Sequence, residues 1–302
     1  MEEPVPGGPP LVEGKPVSLD AAVARAAEIL RAARSPLVYG LAHSASGTTR
    51  IAAAIAARLK GAIDIEGSAI LQPEIDILQA SGGCSATFGA MRASADVVLL
   101  WRIDPRGTHP ELFGDVPRRF FHLSDADFET ALVLRALVSG RALRAPALED
   151  VAGALRGARS VAIVHAAEGR AVLAALHALA GTLMETRRAA VISLGAGGNV
   201  AGAIAALLSS CGLPRAVSFH DGTPRPIAGD PIAVADAVLH VGPKIVVGRD
   251  EVIIPTAVPA LSERGVWLRA DGVPVTLTGP VASDLPRQGD VLRLLLDALE
   301  AP

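Results

Sequence analysis

A chain of 302 residues, half of them apolar and 20% charged, is long enough for about two ordinary domains and apolar enough to exclude global disorder. The net charge of −3, with acidic and basic residues interspersed, supplies no broad field for a polyanion, so neither nucleic acid nor a membrane surface is an expected partner. Two lone cysteines, Cys84 and Cys211, offer no disulfide framework, zinc ribbon or iron–sulfur ligand set and agree with a reducing compartment.

The opening MEEPVPGGPP has acidic residues where a secretory signal needs positive charge, which predicts a cytoplasmic protein. Pro and Gly recur through residue 17 without periodicity, so this stretch is expected to be a flexible arm, over residues 1–14, or an extended segment lying on a partner, with order beginning at Ser18. Ser18 is a good N-cap for SLDAAVARAAEILRAARS, where Leu19, Val23, Ala26, Ile29 and Leu30 repeat at helical spacing. PLVYGL then predicts a buried strand, HSASG a turn, TTRIAAAIAARLKG a helix ending at Gly61, and AIDIEG the next strand of a βαβ unit. The alternation continues through DVVLLW, RRFFHL, SVAIVH, AAVISL, AVSF, DAVLHV, KIVVG and DEVIIP. Apolar strands between helices predict an α/β fold with mainly parallel sheets, in two doubly wound lobes. The apolar run from Ala171 to Met184 contains His177 and is too short to span a membrane, so it is expected to be a buried helix. GVWLRADGVPVTL predicts a hairpin or a compact β-turn excursion around Ala270-Asp271-Gly272, and GDVLRLLLDALE a final helix.

Three stretches could carry chemistry. In VISLGAGGNVAGA, Gly195, Gly197, Gly198 and Asn199 fall in a strand-to-helix turn, where glycines allow close backbone approach and a helix N-terminus favours anions. The spacing fails the dinucleotide fingerprint: Gly197 through Gly202 reads G-x-N-x-x-G, with asparagine at the middle glycine, which favours a structural turn over a phosphate cradle. In ADVVLLWRIDPRGTHP a buried strand delivers Asp104, Pro105 and His109 to its carboxyl end. Asp104 and His109 could form an acid/base pair, but no nucleophile lies nearby and a turn-and-cap role is the plainer reading. The third, VIIPTAVPALSERGVWLRADGVPVTL, is by itself only loop chemistry.

His43, His109, His165 and His220 each follow or end a predicted strand, yet none belongs to a pair with metal-ligand spacing, so no metal site is expected. Ser44 and Ser46 beside His43 lack the nucleophile elbow, and His122, His177 and His240 read as hydrogen-bonded or core residues. Asp64 and Glu66 form an acidic strand end of the kind that binds ribose, but no glycine-rich turn precedes them at the required spacing.

Taken in order, these stretches resemble the family of formylmethanofuran dehydrogenase B subunits, relatives of the molybdopterin oxidoreductases. ADVVLLWRIDPRGTHP is similar to that family's "RADVVIYWG-NP-xx-HPRH", VISLGAGGNVAGA to "RGHxNVxG", SFHDGTPRP to "DFSRGYPR", and LRADGVPVTL to "RMDGVPLRL". The resemblance runs from about Pro36 to Leu277 in collinear order. It implies one discontinuous α/β lobe of residues 15–68 and 199–302 and an inserted α/β lobe of residues 69–198. Redox-active members hold tungsten or molybdenum through cysteine or selenocysteine in a segment like "DNTSSVCHGP"; the matching residues here are DIEGSAILQP, which puts Ile70 at the ligand position. A hydrocarbon cannot coordinate a metal, and the family's cysteine-rich N-terminal cluster segment has no counterpart. The resemblance therefore implies no molybdopterin, no tungsten or molybdenum, no iron–sulfur cluster and no catalytic residue.

Lost redox ligands with a retained framework are most like the B subunit of the bacterial formyltransferase/hydrolase complex, linked to tetrahydromethanopterin and one-carbon metabolism in methylotrophs. That implies a structural subunit with A-, C- and D-type partners that carry formyl transfer and hydrolysis, and a methanofuran-like carrier as a further partner. The cleft residues Gly195, Gly197, Gly198, Asn199, Arg102, Asp104, Arg106 and His109 would then be vestigial or reassigned. A second reading keeps the cleft alive for a pterin, a nucleotide or the carrier's acidic tail, through Arg102, Arg106 and the glycine turn; a third is a stand-alone nicotinamide oxidoreductase using His109.

Overall fold

In the computed structural model, residues 8–113, 118–195, 197–248 and 251–301 are described. The chain divides into two units, the first formed by Met1–Ser68, Gly197–Arg269 and Pro274–Pro302, the second by Ala69–Ala196 with Ala270–Val273.

The first unit starts with a hairpin of β1 (Leu11–Val12) and β2 (Lys15–Pro16), whose Leu11 and Val12 also pair antiparallel with Ile253 and Val252. Glu13 and Gly14 adopt φ of 50° and 74°, the double left-handed turn that suits the twist of a two-residue hairpin. This corrects the expected flexible arm over residues 8–14. Two paired residues are too few to leave a periodic trace, and the informative signal was the Glu-Gly turn; residues 1–7 lie outside the described residues. Ser18 caps α1 (Leu19–Ala32) by accepting the Ala21 N–H at 3.2 Å. β3 (Pro36–Gly40), α2 (Ser46–Arg58) and β4 (Ala62–Ile63) follow as a parallel βαβ unit.

The chain then enters the second unit with α3 (Gln72–Ser81), α4 (Phe88–Ser94), β5 (Val97–Trp101), β6 (Arg119–Leu123), α5 (Phe128–Val138), α6 (Pro146–Gly157), β7 (Ser160–His165), α7 (Arg170–Met184) and β8 (Arg188–Ser193). Its four strands are parallel throughout, in the order β6-β5-β7-β8. β5 shows why such strands are apolar along their whole length: Val97, Leu99 and Trp101 enter a core with α5, α6 and α7, while Val98 and Leu100 enter the opposite one with Phe88, Met91 and Leu112.

Back in the first unit come α8 (Val200–Cys211), β9 (Val217–Ser218), β10 (Arg225–Pro226), β11 (Ala237–Val241), β12 (Lys244–Val247), β13 (Val252–Pro255), β14 (Gly265–Leu268), β15 (Pro274–Leu277) and α9 (Gln288–Glu300). The large sheet runs β10-β9-β4-β3-β11-β12-β13-β1-β2. Only the pairings of β3 with β4 and β11 are parallel; the others are antiparallel. The expectation of mainly parallel sheets is therefore corrected for this unit. Gly242 and Pro243 alone separate β11 from β12, and a two-residue link can only reverse the chain, since a parallel crossover needs a dozen residues or more. The hairpin of β14 and β15 stands as its own two-stranded sheet. α9 buries Val291, Leu292, Leu295 and Leu299 along one stripe and packs on α1 and α2. Among the described residues no helix is long and apolar enough to cross a membrane.

Ile163, in the middle of β7, is fully buried. Ile163→Ala is expected to cost about 2–5 kcal/mol in equilibrium denaturation through the lost transfer energy and the cavity left behind.

Candidate functional site

In the second unit's sheet the first strand, β5, is followed by β6 on one side and, after a return, by β7 on the other. The strand order thus reverses between β5 and β7, and open parallel sheets place ligands outside the carboxyl ends at that reversal. Trp101 and His165 are register partners at this end. The next residue, Arg102, takes a left-handed φ of 57°. Its Nη1 lies 3.2 Å from Glu168 Oε2, a carboxylate only 6% exposed. Burial pushes the Glu168 carboxyl up and the Arg102 charge draws it back. Arg102, a ligand contact only on the reading that keeps the cleft alive, is held in this ion pair.

His165 is 1% exposed. Its Nδ1 lies 2.5 Å from the Ala166 carbonyl, which puts the ring proton on Nδ1 and leaves Nε2 a lone pair without a partner. Both ring nitrogens of His177, on α7, are also buried and unpartnered. Glu74, at the start of α3, is pushed up by burial, partly offset by a hydrogen bond with Ser193 and by the neighbouring His177. Ser193 closes β8 and accepts the Gly195 N–H at 3.1 Å. These groups, Glu74, His177, Glu168 and Ser193, carry the polarity of this region, and sequence reasoning did not single them out as a site. Their only trace was position: Glu168 and Ser193 follow or end predicted strands.

The residues after β5 arrange themselves locally. Asp104 accepts the Arg106 backbone N–H at 3.2 Å and takes the guanidinium Nε at 2.7 and 3.0 Å, which holds its carboxyl at about 2. His109 turns Nδ1 to Thr108 Oγ1 at 3.0 Å and sets its ring edgewise to Phe88. Asp104 and His109 are therefore each bonded to other partners, and nothing supports a joint acid/base role for them.

The glycine turn is the point where the chain leaves one unit for the other: β8 and Gly195 belong to the second, Gly197, Gly198, Asn199 and α8 to the first. β8 and α8 therefore fall in different units rather than within one βαβ unit. Asn199 is fully buried. Its Nδ2 donates to the Ser44 carbonyl at 2.7 Å, its Oδ1 accepts the Leu268 N–H at 2.8 Å, and its own N–H donates to the Ala42 carbonyl at 2.6 Å. Gly198 is required by this approach, since a Cβ there would lie 2.5 Å from the Ala42 carbonyl oxygen; one on Gly202 would lie 2.1 Å from Asn199 Oδ1. The G-x-N-x-x-G pattern thus records a side-chain clasp and the space it needs.

The remaining candidates are separate. His43 and His220 lie in the first unit, His109 and His165 in the second, and among the described residues no three His, Cys, Asp or Glu side chains gather as metal ligands. Asp64 is saturated internally, accepting from the Ile65 and Ala216 backbones at 2.9 Å each and facing Arg215 at 3.5 Å, so it is not an open ribose ligand. Ile70 sits in a short 3-10 turn, Ser68–Leu71, and is 46% exposed. Both thiols are pushed up by burial.

Two outcomes follow from this geometry. Burial holds His165 and His177 below the ordinary imidazole value of 6.5, so the unfolded chain binds these protons more readily. Stability present above pH 6.5 is lost as the pH falls through the folded-state values; Glu74 and Glu168, raised from 4.5, act in the opposite direction. Thermal unfolding between pH 7.5 and 5.5 is expected to show a smaller acid loss in His177→Gln than in the parent chain. Asn199→Ala is expected to cost about 2–4 kcal/mol, because a buried carbonyl and N–H lose their partners. Gly202→Ala is expected to destabilise as well, and the Asn199→Ala/Gly202→Ala pair to cost less than the sum in a denaturation double-mutant cycle.

No protein-family model matches the chain. In sequence it is 29% identical over 110 residues to the B subunit of tungsten-containing formylmethanofuran dehydrogenase 2 from Methanococcus maripaludis, a stretch covering 35% of this chain and 25% of that relative. The match thus spans about a quarter of the relative's length. In structure it is similar to a chain of the formyltransferase/hydrolase complex (FhcABCD) from Methylorubrum extorquens, solved in complex with methylofuran. The TM-score is 0.83 at 21% identity, covering 96% of this chain and 98% of that one.

Proposed function

We propose that this chain is a non-catalytic structural component, of the B type, of a cytoplasmic formyltransferase/hydrolase complex in tetrahydromethanopterin-linked one-carbon metabolism. The observation that carries the reading is the likeness over nearly the full length of both chains to a component of such a complex. The sequence similarity to a formylmethanofuran dehydrogenase B subunit points the same way. A-, C- and D-type subunits would carry formyl transfer and hydrolysis, with a methanofuran-like carrier as the complex's further partner.

The residues present do not fit the tungsten or molybdenum centre of the redox-active relatives. Ile70, at the position matched to the metal ligand, offers a hydrocarbon, and Cys84 and Cys211 are thiols whose burial opposes the thiolate form a metal needs. The turn matched to a cofactor segment spends its asparagine on the protein's own backbone. What this chain contributes on the proposed reading is a rigid scaffold, with the turn of Gly197, Gly198 and Asn199 converted to structure.

One observation favours a second reading, a live ligand site in the second unit for a pterin, a nucleotide or the carrier. The unpartnered nitrogens of His165 and His177 lie close to the sheet reversal where such a ligand would bind.

Co-expression with A-, C- and D-type subunits tests the proposal. The expected result is stoichiometric co-purification, formyl transfer and formate release by the assembly, no turnover by this chain alone, and no stoichiometric molybdenum or tungsten in it. A monomer that turns over by itself, or carries such a metal, would overturn it.

A further inference from the structure

The amino-terminal edge of the second unit's sheet, opposite the end considered above, collects charge in an unusual way. The parallel register sets Val97 against Arg119 and Val161, and Ser160 against Arg188. One residue earlier in each of the first three strands, Asp96, Arg118 and Ser160 therefore share a row with Arg188. All four line a cavity of about 610 Å³, which Arg159 and Ser94 also border. A neighbouring hollow of about 530 Å³ shares Asp96 and Arg159 and adds Arg119.

The carboxylate in this row is already spent. Asp96 accepts the Arg159 and Ser160 backbone N–H groups at 2.8 and 3.1 Å, and Arg159 Nη2 lies 3.3 Å from its other oxygen. Among the described residues that leaves two guanidinium groups without a counter-charge. Arg118 donates Nη2 to the Arg92 carbonyl, while its Nε and Nη1 are shielded from solvent and have no acceptor. Among the described residues no carboxylate pairs with Arg188. Buried unpaired donors are costly, and like charges brought to one cavity repel. In a chain whose net charge is −3, this is a local excess of two positive charges beyond the Asp96–Arg159 pair.

We propose that this cavity binds a small dianionic oxyanion, a phosphate monoester or a dicarboxylate, through Arg118 and Arg188. A guanidinium presents paired donors that match carboxylate and phosphate oxygens, and an anion at the exposed Arg188 guanidinium, beside Arg118, would supply the missing counter-charge. The cavity volume lies in the range of small-molecule sites. The site is independent of the carboxyl edge of the sheet and of the glycine turn.

Calorimetric titration of the full-length chain at low ionic strength, with inorganic phosphate in one arm and succinate in the other, tests this. Saturable one-site binding in either arm is expected, weakening with added salt; the tighter arm identifies a phosphoryl or a carboxylate head group. Arg188→Gln is expected to weaken it roughly tenfold, the loss of one charge-assisted hydrogen bond. Arg188→Lys, which keeps the charge without the fork, should fall between, and Arg141→Gln, on an exposed loop of the same unit, should leave it unchanged. No saturable binding in either arm would overturn the proposal, as would parental affinity in a folded Arg188→Gln chain.

Discussion

The buried amide of Asn199 is the constraint on which the first unit's arrangement turns. With one side chain and one backbone N–H it joins the loop after β3, the start of α8 and the end of β14, three segments far apart in sequence. A buried primary amide is costly unless it is hydrogen-bonded, and here the protein's own backbone supplies an acceptor for Nδ2 and a donor for Oδ1. The glycines around it have a derived role: Gly198 lets the Ala42 carbonyl approach and Gly202 leaves room for the amide. A turn with the outward appearance of an anion cradle is thus organised around an internal clasp.

The second unit solves a different problem. Its parallel sheet is apolar on both faces, so polarity is pushed to the two edges. At the carboxyl edge Arg102 and Glu168 neutralise each other and His165 keeps a fixed tautomer. At the amino edge the register lines up arginines faster than Asp96 can neutralise them. The first edge keeps its ion pair but leaves His165 Nε2 and the two His177 nitrogens without partners, and the second leaves Arg118 and Arg188 without a carboxylate among the described residues.

Much of the secondary structure was legible because it rests on local signals. The Ser18 cap, the apolar strands PLVYG and SVAIVH and the stripe of α9 all appear where periodicity puts them. Strand direction in the large sheet was misjudged because apolar composition suggested parallel pairing, whereas the two-residue Gly242-Pro243 link forces β11 and β12 to run antiparallel. The N-terminal hairpin escaped because two-residue strands leave no period. Of the candidate site residues, Asp104 and Arg106 found each other two positions apart, whereas Arg102 met Glu168 across 66 residues, a partnership that only the adjacency of β5 and β7 creates. Asn199 was visible as an anomaly in the glycine pattern. Its meaning depended on Ser44 and Leu268, which no local reading connects to it.

The most direct measurement is amide hydrogen exchange on the full-length chain, resolved at Asn199 and Leu268, whose N–H groups are donors to and within the clasp. If the turn is structural, both amides exchange as slowly as the core of α8 and open only when the first unit unfolds. Rapid exchange at these two positions while α8 stays protected would show an open loop, and the account of an internally clasped turn would be wrong.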